Sequence, residues 1–302
     1  MRIDTIDLHF QGTPHVIAAF LVRSSDGAVL IETGPASTLP ALIDGLERLG
    51  VRPEEIDHLL VTHIHLDHAG AAGWWARQGT NVHVHPVGAP HLVDPSRLLS
   101  SAARIYGDRM EALWGEILPA PAERVHPVED GAVLTLAGLE IEAIATPGHA
   151  NHHHVYRIGE VAFSGDAVGI RLPGADWIDL PAPPPEFDLQ LWRESLTRLR
   201  SSGIRTLYRT HFGAGGSDDA DRQLATFERV LEKGSEAVRT MLDDGIDREQ
   251  MIDRFTELMR DSGTRSGLSA ADLLAYELAN PRQMSVDGIA RYWRKPTRLK
   301  AP

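Results

Sequence analysis

The segment Thr62–His68 constrains the fold more than any other part of the chain. Directly after a short apolar run that predicts a buried strand, it carries four residues of metal-binding type: His63, His65, Asp67 and His68. Imidazole and carboxylate groups are good ligands for zinc and other first-row divalent ions. A loop after a strand can turn His63 and His65 toward one point, while the next two donors face a second point nearby. We therefore expect a metal site here rather than a solvated histidine-rich loop.

Three later residues occupy the same kind of position. His149 follows a Pro-Gly turn, Asp166 follows Ser164-Gly165, and His211 ends an apolar run. Each is predicted to lie at the end of a strand, and ligand sites in open α/β sheets lie at the carboxyl ends of strands. One such residue alone is more often structural. The three together indicate that the site of the first segment is completed from later parts of the chain.

The bulk composition narrows the class of protein. The chain has 302 residues, of which 42% are hydrophobic and 24% charged, as is typical of a soluble globular protein with a sizeable core. Its formal net charge of -12 disfavours nucleic acid and anionic membranes as partners. The absence of cysteine excludes disulfides, thiolate ligands and a cysteine nucleophile. The first residues lack the apolar segment of a secretory signal, and a cytoplasmic location is expected.

Short strands and helices alternate over the first two thirds of the chain. Apolar runs at 15–23 and 28–32, separated by Ser24-Ser25-Asp26-Gly27, predict a hairpin. Apolar residues at helical spacing predict a helix over 39–49, with Thr38 as its N-cap. The remaining patterns predict, in order, a strand at 59–61, a helix within 98–114, strands at 133–136, 139–144 and 155–158, an extended Pro-rich loop at 170–187, a helix at 188–201 and a strand at 204–210.

The last third of the chain is predicted to be helical. Residues 213–217 are rich in glycine and predict a linker. The helices after it are predicted at 218–243, 247–261, 269–279 and 284–294. We therefore expect a catalytic domain, 1–213, and a C-terminal helical extension, 214–302, that shapes the substrate pocket or acts as a lid.

The order of the motifs resembles that of the metallo-β-lactamase superfamily. His-x-His-x-Asp-His is followed by Thr-Pro-Gly-His, Ser-Gly-Asp and Thr-His-Phe-Gly, and every ligand position is filled over residues 1–213. The resemblance implies an α/β (α+β) fold, the αββα four-layer sandwich, with metals at one edge. It also implies a division of the ligands: His63, His65 and His149 on the first metal, Asp67, His68 and His211 on the second, and Asp166 bridging both. A bridging Asp in place of a Cys is similar to the glyoxalase II, lactonase and thioesterase branches.

Several nearby residues have less defined roles. Glu32 follows a strand where many relatives have an aspartate, and it either orients a ligand histidine or has no part in the site. Residues 152–154, all histidine, precede a strand, so alternate members are expected to be buried or to contact the ligand residues, without binding a metal. Four other histidines are expected to have no part in the chemistry: His83, His85, His91 and His126. Prolines directly after His85 and His126 predict that these two lie at turns.

Two divalent ions a few ångströms apart activate a bridging water and polarise a carbonyl. The sequence therefore predicts a metal-dependent hydrolase in which metal-bound hydroxide attacks a small thioester, ester or lactone. Asp67 and Asp166 are the predicted catalytic proton carriers. Two divalent metal ions per chain are expected, with Zn²⁺ as the first choice and iron or manganese as alternatives.

Two other functions stay open. A persulfide dioxygenase-like oxygenase would use one iron with His63, His149 and Asp166. A non-catalytic, metal-stabilised binding protein would be indicated by the loss of a ligand position, and none is lost. The predicted partner is a small-molecule substrate. The sequence does not determine that substrate, the native metal or whether the chain forms a homo-oligomer.

Overall fold

The computed structural model describes residues 1–214 and 219–295. The chain forms two compact units, each built from two stretches of sequence. The first unit contains Met1–Ala145 and His152–Gly165, and the second contains Thr146–Asn151 and Asp166–Pro302. The predicted division into 1–213 and 214–302 stays a prediction.

The strands of the first unit belong to two sheets. The first sheet has the order β1 (Arg2–Asp7), β2 (Ala18–Arg23), β3 (Ala28–Ile31), β4 (His58–Leu60), β5 (Asn81–Val84) and β6 (Val125–Pro127). The pairs β1–β2 and β2–β3 are antiparallel, and β3 to β6 run parallel. The unit's other strands pair antiparallel in chain order: β7 (Val133–Leu136), β8 (Leu139–Ala145), β9 (His154–Ile158) and β10 (Val161–Phe163). The carboxyl end of β4 leads directly into the histidine-rich segment.

The core of the first unit lies between these sheets. The ring of Phe20 on β2 packs on Phe163 of β10 with centroids 5.3 Å apart. The hydroxyl of Tyr156, on β9, lies 3.3 Å from the carbonyl oxygens of Val61 and His83. Burial raises the pKa of this tyrosine, so its phenol stays a neutral donor. The loop after β4 is thereby fixed from the opposite sheet.

Short helices follow the strands of the first unit. They are α1 (Leu39–Arg48), α2 (Leu66–Ala69), α3 (Ala72–Arg77), α4 (Ala89–Val93), α5 (Ser96–Tyr106) and α6 (Met110–Trp114). In α1, Leu42 and Leu46 are fully buried at helical spacing. Gly45 lets the helix lie directly on β1, since a Cβ there would lie 2.3 Å from a methyl carbon of Ile6. Thr38 precedes α1 as predicted, but its hydroxyl donates to the Pro35 carbonyl instead of capping the helix.

The second unit is mainly helical. It contains α7 (Leu189–Arg200), the hairpin β11 (Thr206–Arg209) and β12 (Gly213–Ala214), and then α8 (Ala220–Asp243), α9 (Arg248–Arg265), α10 (Ala270–Ala279) and α11 (Arg282–Trp293). Helices α7, α8 and α9 each begin after an aspartate whose carboxylate accepts backbone N–H groups of the first turn, and α10 begins after Ser269, which does the same. Trp192 and Phe227 pack in the core with ring centroids 5.3 Å apart. No helix among the described residues is long and apolar enough to cross a membrane.

The predicted α/β class, with two sheets, flanking helices and a helical C-terminal part, is confirmed. Two local predictions are wrong. His126 was expected at a turn but lies inside β6, where Pro127 is tolerated because β6 is the edge strand of its sheet. Residues 213 and 214 were expected in a linker but pair with β11. The rest of that linker, 215–217, lies outside the described residues.

Candidate metal centre

The first unit holds four of the predicted ligands in the loop after β4 and in α2. His63 and His68 are fully buried, and His65 and Asp67 are half-buried. The Nε2 atom of His63 lies 2.9 Å from Nδ1 of His65. The Nε2 atom of His68 lies 3.7 Å from an oxygen of Asp67. The structure therefore brings His63 close to His65 and Asp67 close to His68, and the ring of His63 also lies beside that of His68, with centroids 3.9 Å apart.

These distances fit two donors that share an ion. Ligands about 2.0–2.1 Å from a tetrahedral zinc lie roughly 3.3–3.4 Å from one another. The donor–donor distances of the two pairs in the first unit, 2.9 and 3.7 Å, lie on either side of this value and differ from it by a few tenths of an ångström. The shorter distance also allows a hydrogen bond between the two imidazoles when one ring nitrogen carries a proton.

Glu32 orients one of these histidines. Its side chain is fully buried, and Oε1 lies 3.0 Å from Nδ1 of His68 and 2.5 Å from the hydroxyl of Thr62. The backbone N–H of Thr62 donates to Oε2 at 3.3 Å. A hydrogen bond from Nδ1 of His68 leaves its Nε2 as the donor atom for a metal. Of the two hypotheses for Glu32, the contact with His68 favours the orienting role.

Residues 152–154 are all buried, whereas only alternate members of this run were expected to be. The ring of His153 packs on His63 with centroids 4.8 Å apart, and His152 accepts a long hydrogen bond, 3.4 Å, from the backbone N–H of Ile64. Gly165 passes close to this group with φ +48°, and a Cβ there would lie 2.4 Å from the Thr62 hydroxyl. Only glycine suits that position. These residues support the histidine-rich loop from behind.

The second unit holds the other three predicted ligands, all buried. His149 follows Gly148, which has φ +139° and lies so close to Trp192 that a Cβ would be 2.3 Å from the Cβ of that residue. The Nδ1 atom of His149 lies 2.8 Å from the carbonyl oxygen of Pro181. The backbone carbonyl of His211 accepts from Arg171 at 2.7 Å, which fixes the strand end that carries this histidine.

Asp166 lies between the two histidines of its unit. One oxygen is 3.4 Å from Nε2 of His149, and the other is 3.7 Å from Nε2 of His211. A carboxylate whose two oxygens face two different imidazoles has the geometry of a bridge between two ions. All seven predicted ligands are His and Asp side chains that can hold a metal ion.

One feature of the site was not predicted from the sequence: the carbonyl of Pro181, which lies 2.8 Å from Nδ1 of His149 and carries no side-chain signal. Tyr106 belongs to the segment 98–114, which was predicted to be helical. Burial, and after it the negative charge of Asp67, raises the pKa of Tyr106.

The sequence pattern of the metallo-beta-lactamase superfamily matches residues 12–211, and the chain belongs to this superfamily. The superfamily contains hydrolases, and the His and Asp side chains suggest that the chain binds divalent metal.

Three individual relatives share between 20% and 28% sequence identity with this chain. The metallo-beta-lactamase fold-containing protein ST1585 of Sulfurisphaera tokodaii is 26% identical over 189 residues, 61% of this chain and 68% of that protein. A hydroxyacylglutathione hydrolase of Aeromonas hydrophila is 28% identical over 149 residues, 49% of this chain, and the match spans 45% of that enzyme. The crystal structure of the metallo-beta-lactamase family protein TTHA1429 from Thermus thermophilus has a TM-score of 0.68 and 20% identity, covering 97% of this chain and 93% of the other. That likeness extends the shared fold to nearly the whole chain.

Proposed function

We propose that the chain is a dinuclear metal-dependent hydrolase of small thioesters, esters or lactones. The first ion would be held by His63, His65 and His149, and the second by Asp67, His68 and His211, with Asp166 as the bridge. The geometry of Asp166 carries the proposal, because its two oxygens face different histidines at 3.4 and 3.7 Å. A site for a single ion would need only one of these contacts.

The residues present fit such a pair of ions. The donors are imidazoles and carboxylates, which suit zinc as well as iron and manganese. Glu32 and the Pro181 carbonyl each accept from the Nδ1 side of a histidine, at 3.0 and 2.8 Å, and leave its Nε2 side for coordination. When bound, two such ions would supply an activated water and polarise a substrate carbonyl.

The chain's own residues then have defined tasks. Asp67 and Asp166 are the carboxylates that would accept the proton of the water and pass it to the leaving oxygen or sulfur. The half-exposed position of Asp67 allows exchange of that proton with solvent.

The substrate class rests on the donor set and on one comparison. An aspartate bridge without any cysteine is similar to the glyoxalase II-like branch, and the similar Aeromonas hydrophila enzyme is a hydroxyacylglutathione hydrolase. A small acyl thioester is therefore the first substrate to test, ahead of aryl esters and lactones. No nucleic acid or membrane partner is proposed, in keeping with the net charge of -12.

Metal analysis joined to a hydrolysis panel tests the proposal. We expect about two zinc, iron or manganese ions per chain and turnover of at least one of lactoylglutathione, an aryl ester and a homoserine lactone. Asp166→Asn is expected to lose most activity and one or both ions, whereas His91→Ala, at a half-buried histidine outside the site, is expected to keep both. One iron per chain with oxygen consumption on a persulfide would favour the oxygenase. A chain that binds no metal, or an Asp166→Asn variant with full activity, would contradict the proposal.

A further inference from the structure

The carbonyl of Pro181 sets the state of the His149 ring. It lies 2.8 Å from Nδ1 of His149, and because a carbonyl only accepts, Nδ1 must carry the proton. The other ring nitrogen, Nε2, then has its lone pair available and faces Asp166 at 3.4 Å. The direction of this one carbonyl therefore decides which nitrogen of His149 can bind a metal.

The carbonyl of Pro181 belongs to the same peptide group as the N–H of Ala182, and a peptide group is planar. That N–H donates to the hydroxyl of Ser285 on α11 at 3.2 Å. The same hydroxyl donates to the carbonyl of Leu180 at 2.7 Å. Ser285 is fully buried, so water does not compete for either contact. One side chain thus holds the peptide groups on both sides of Pro181.

Neighbouring residues of the C-terminal helices hold the same stretch of chain. The amide of Asn280 donates to the Leu180 carbonyl and to Asp179, both at 2.9 Å. Arg282 forms a buried ion pair with Asp179. Gly288 brings α11 against the loop backbone, since a Cβ there would lie 2.0 Å from the Ala182 oxygen.

We propose that Ser285 is a positioning residue for the metal centre. Through the peptide group between Pro181 and Ala182 it would fix the tautomer and direction of His149. The inference rests on the proposed function, in which His149 is a ligand. It assigns the C-terminal helical extension a part in metal binding that differs from the predicted role as a lid.

Ser285→Ala is the test variant and Ser262→Ala the matched control. Ser262 is a serine of α9 whose hydroxyl accepts from the Trp177 side chain at 3.1 Å, so it also joins a C-terminal helix to the loop but away from Pro181. The first readout is the tautomer of His149, measured by long-range ¹H–¹⁵N NMR on the metal-free protein. The second is the zinc dissociation constant, measured by competition with a chromophoric chelator.

In the wild type and in Ser262→Ala, we expect His149 to be protonated at Nδ1 alone. In Ser285→Ala we expect signals of both tautomers and a zinc dissociation constant raised by about 10- to 100-fold, the usual effect of losing an outer partner of a ligand histidine. If Ser285→Ala keeps the single tautomer and the wild-type affinity, the inference is overturned. Equal losses in both variants would also overturn it, because they would indicate general destabilisation.

Two further outcomes have a defined meaning. If Ser285→Ala does not fold, Ser285→Cys replaces it, because a thiol of similar shape is only a weak donor and acceptor and so weakens the contacts with Ala182 and Leu180. It should raise the zinc dissociation constant by about two- to tenfold, the worth of one hydrogen bond, and no change would overturn the inference. A wild-type protein that binds no zinc, iron or manganese would overturn the proposed function, while the tautomer in the metal-free protein would still decide the role of Ser285.

Discussion

Replacing Glu32 with glutamine should weaken metal binding while leaving the fold intact. The carboxylate accepts hydrogen bonds from the Nδ1 of His68 and from the hydroxyl and N–H of Thr62. Glutamine has nearly the same shape but only one accepting oxygen. In either orientation its amide group would face a hydrogen-bond donor, and the negative charge that strengthens the bond to His68 would be lost.

The size of the effect follows from these contacts. Hydrogen bonds to a charged group contribute about 1.5–3 kcal/mol, against about 0.5–1.5 kcal/mol for neutral partners. Losing this difference at His68, together with one mismatched donor, should raise the zinc dissociation constant by about 10- to 100-fold. That range equals roughly 1.4–2.8 kcal/mol.

The assay is zinc titration against a chromophoric chelator, with circular dichroism as the check on folding. Glu47→Gln is the matched control, because Glu47 is an exposed glutamate on α1, and we expect no change in its zinc affinity. A folded Glu32→Gln variant whose affinity stays within about twofold of the wild type would refute the orienting role.

Three further predictions concern stability. Tyr276→Phe removes a hydroxyl that accepts from the backbone N–H of Leu172 at 2.9 Å and donates to the carbonyl of Trp177 at 3.0 Å. Urea unfolding should show a free energy of unfolding lower by about 2–4 kcal/mol. A decrease no larger than that of Tyr106→Phe would contradict this. Arg282→Met leaves the buried Asp179 without its ion-pair partner and should lower the free energy of unfolding by about 3–5 kcal/mol. Adding Asp179→Asn to this variant should restore part of that loss. A double variant no more stable than Arg282→Met would count against the ion pair. Burial above all, and then the two neighbouring histidines, lower the pKa of His83 to about 3 from 6.5, so the unfolded chain binds an extra proton between these values. The free energy of unfolding should therefore fall by up to about 1.4 kcal/mol per pH unit as the pH drops from about 6.5 toward 3, and His83→Gln should flatten that slope; parallel curves for the two proteins would show that His83 does not titrate in this way.

Local patterns predicted the elements that are decided locally. The helices of the C-terminal part were located within a few residues, and three of them begin directly after Asp219, Asp247 and Ser269, whose side chains accept backbone N–H groups of the first turn. The hairpin at 15–32 followed from two apolar runs around Asp26-Gly27. In each case the residues that carry the sequence pattern belong to the element itself or directly adjoin it.

The elements that were missed depend on distant parts of the chain. Strand β5 carries the buried His83, and this histidine is tolerated there because a neighbour, His58, lies 3.1 Å away and can share a proton between ring nitrogens. A single sequence does not show that pairing. The seven metal-type residues were found because their chemistry is explicit, whereas the partner of His149 is a backbone carbonyl 32 residues further on.

The loop between Asp166 and α7 therefore has two parts under different constraints. Residues 179–182 are buried, and their backbone is fixed by Asn280 and Ser285, so a change there would also turn the Pro181 carbonyl away from His149. Residues 173, 174 and 176 are exposed and lie between the anchors at Leu172 and Trp177, both held by Tyr276. Within this exposed part, Gly174 has φ +119°, a conformation that favours glycine, and Asp176 forms an ion pair with Arg171 at 2.8 Å. The C-terminal helices thus hold one part of this loop and leave the other part to solvent.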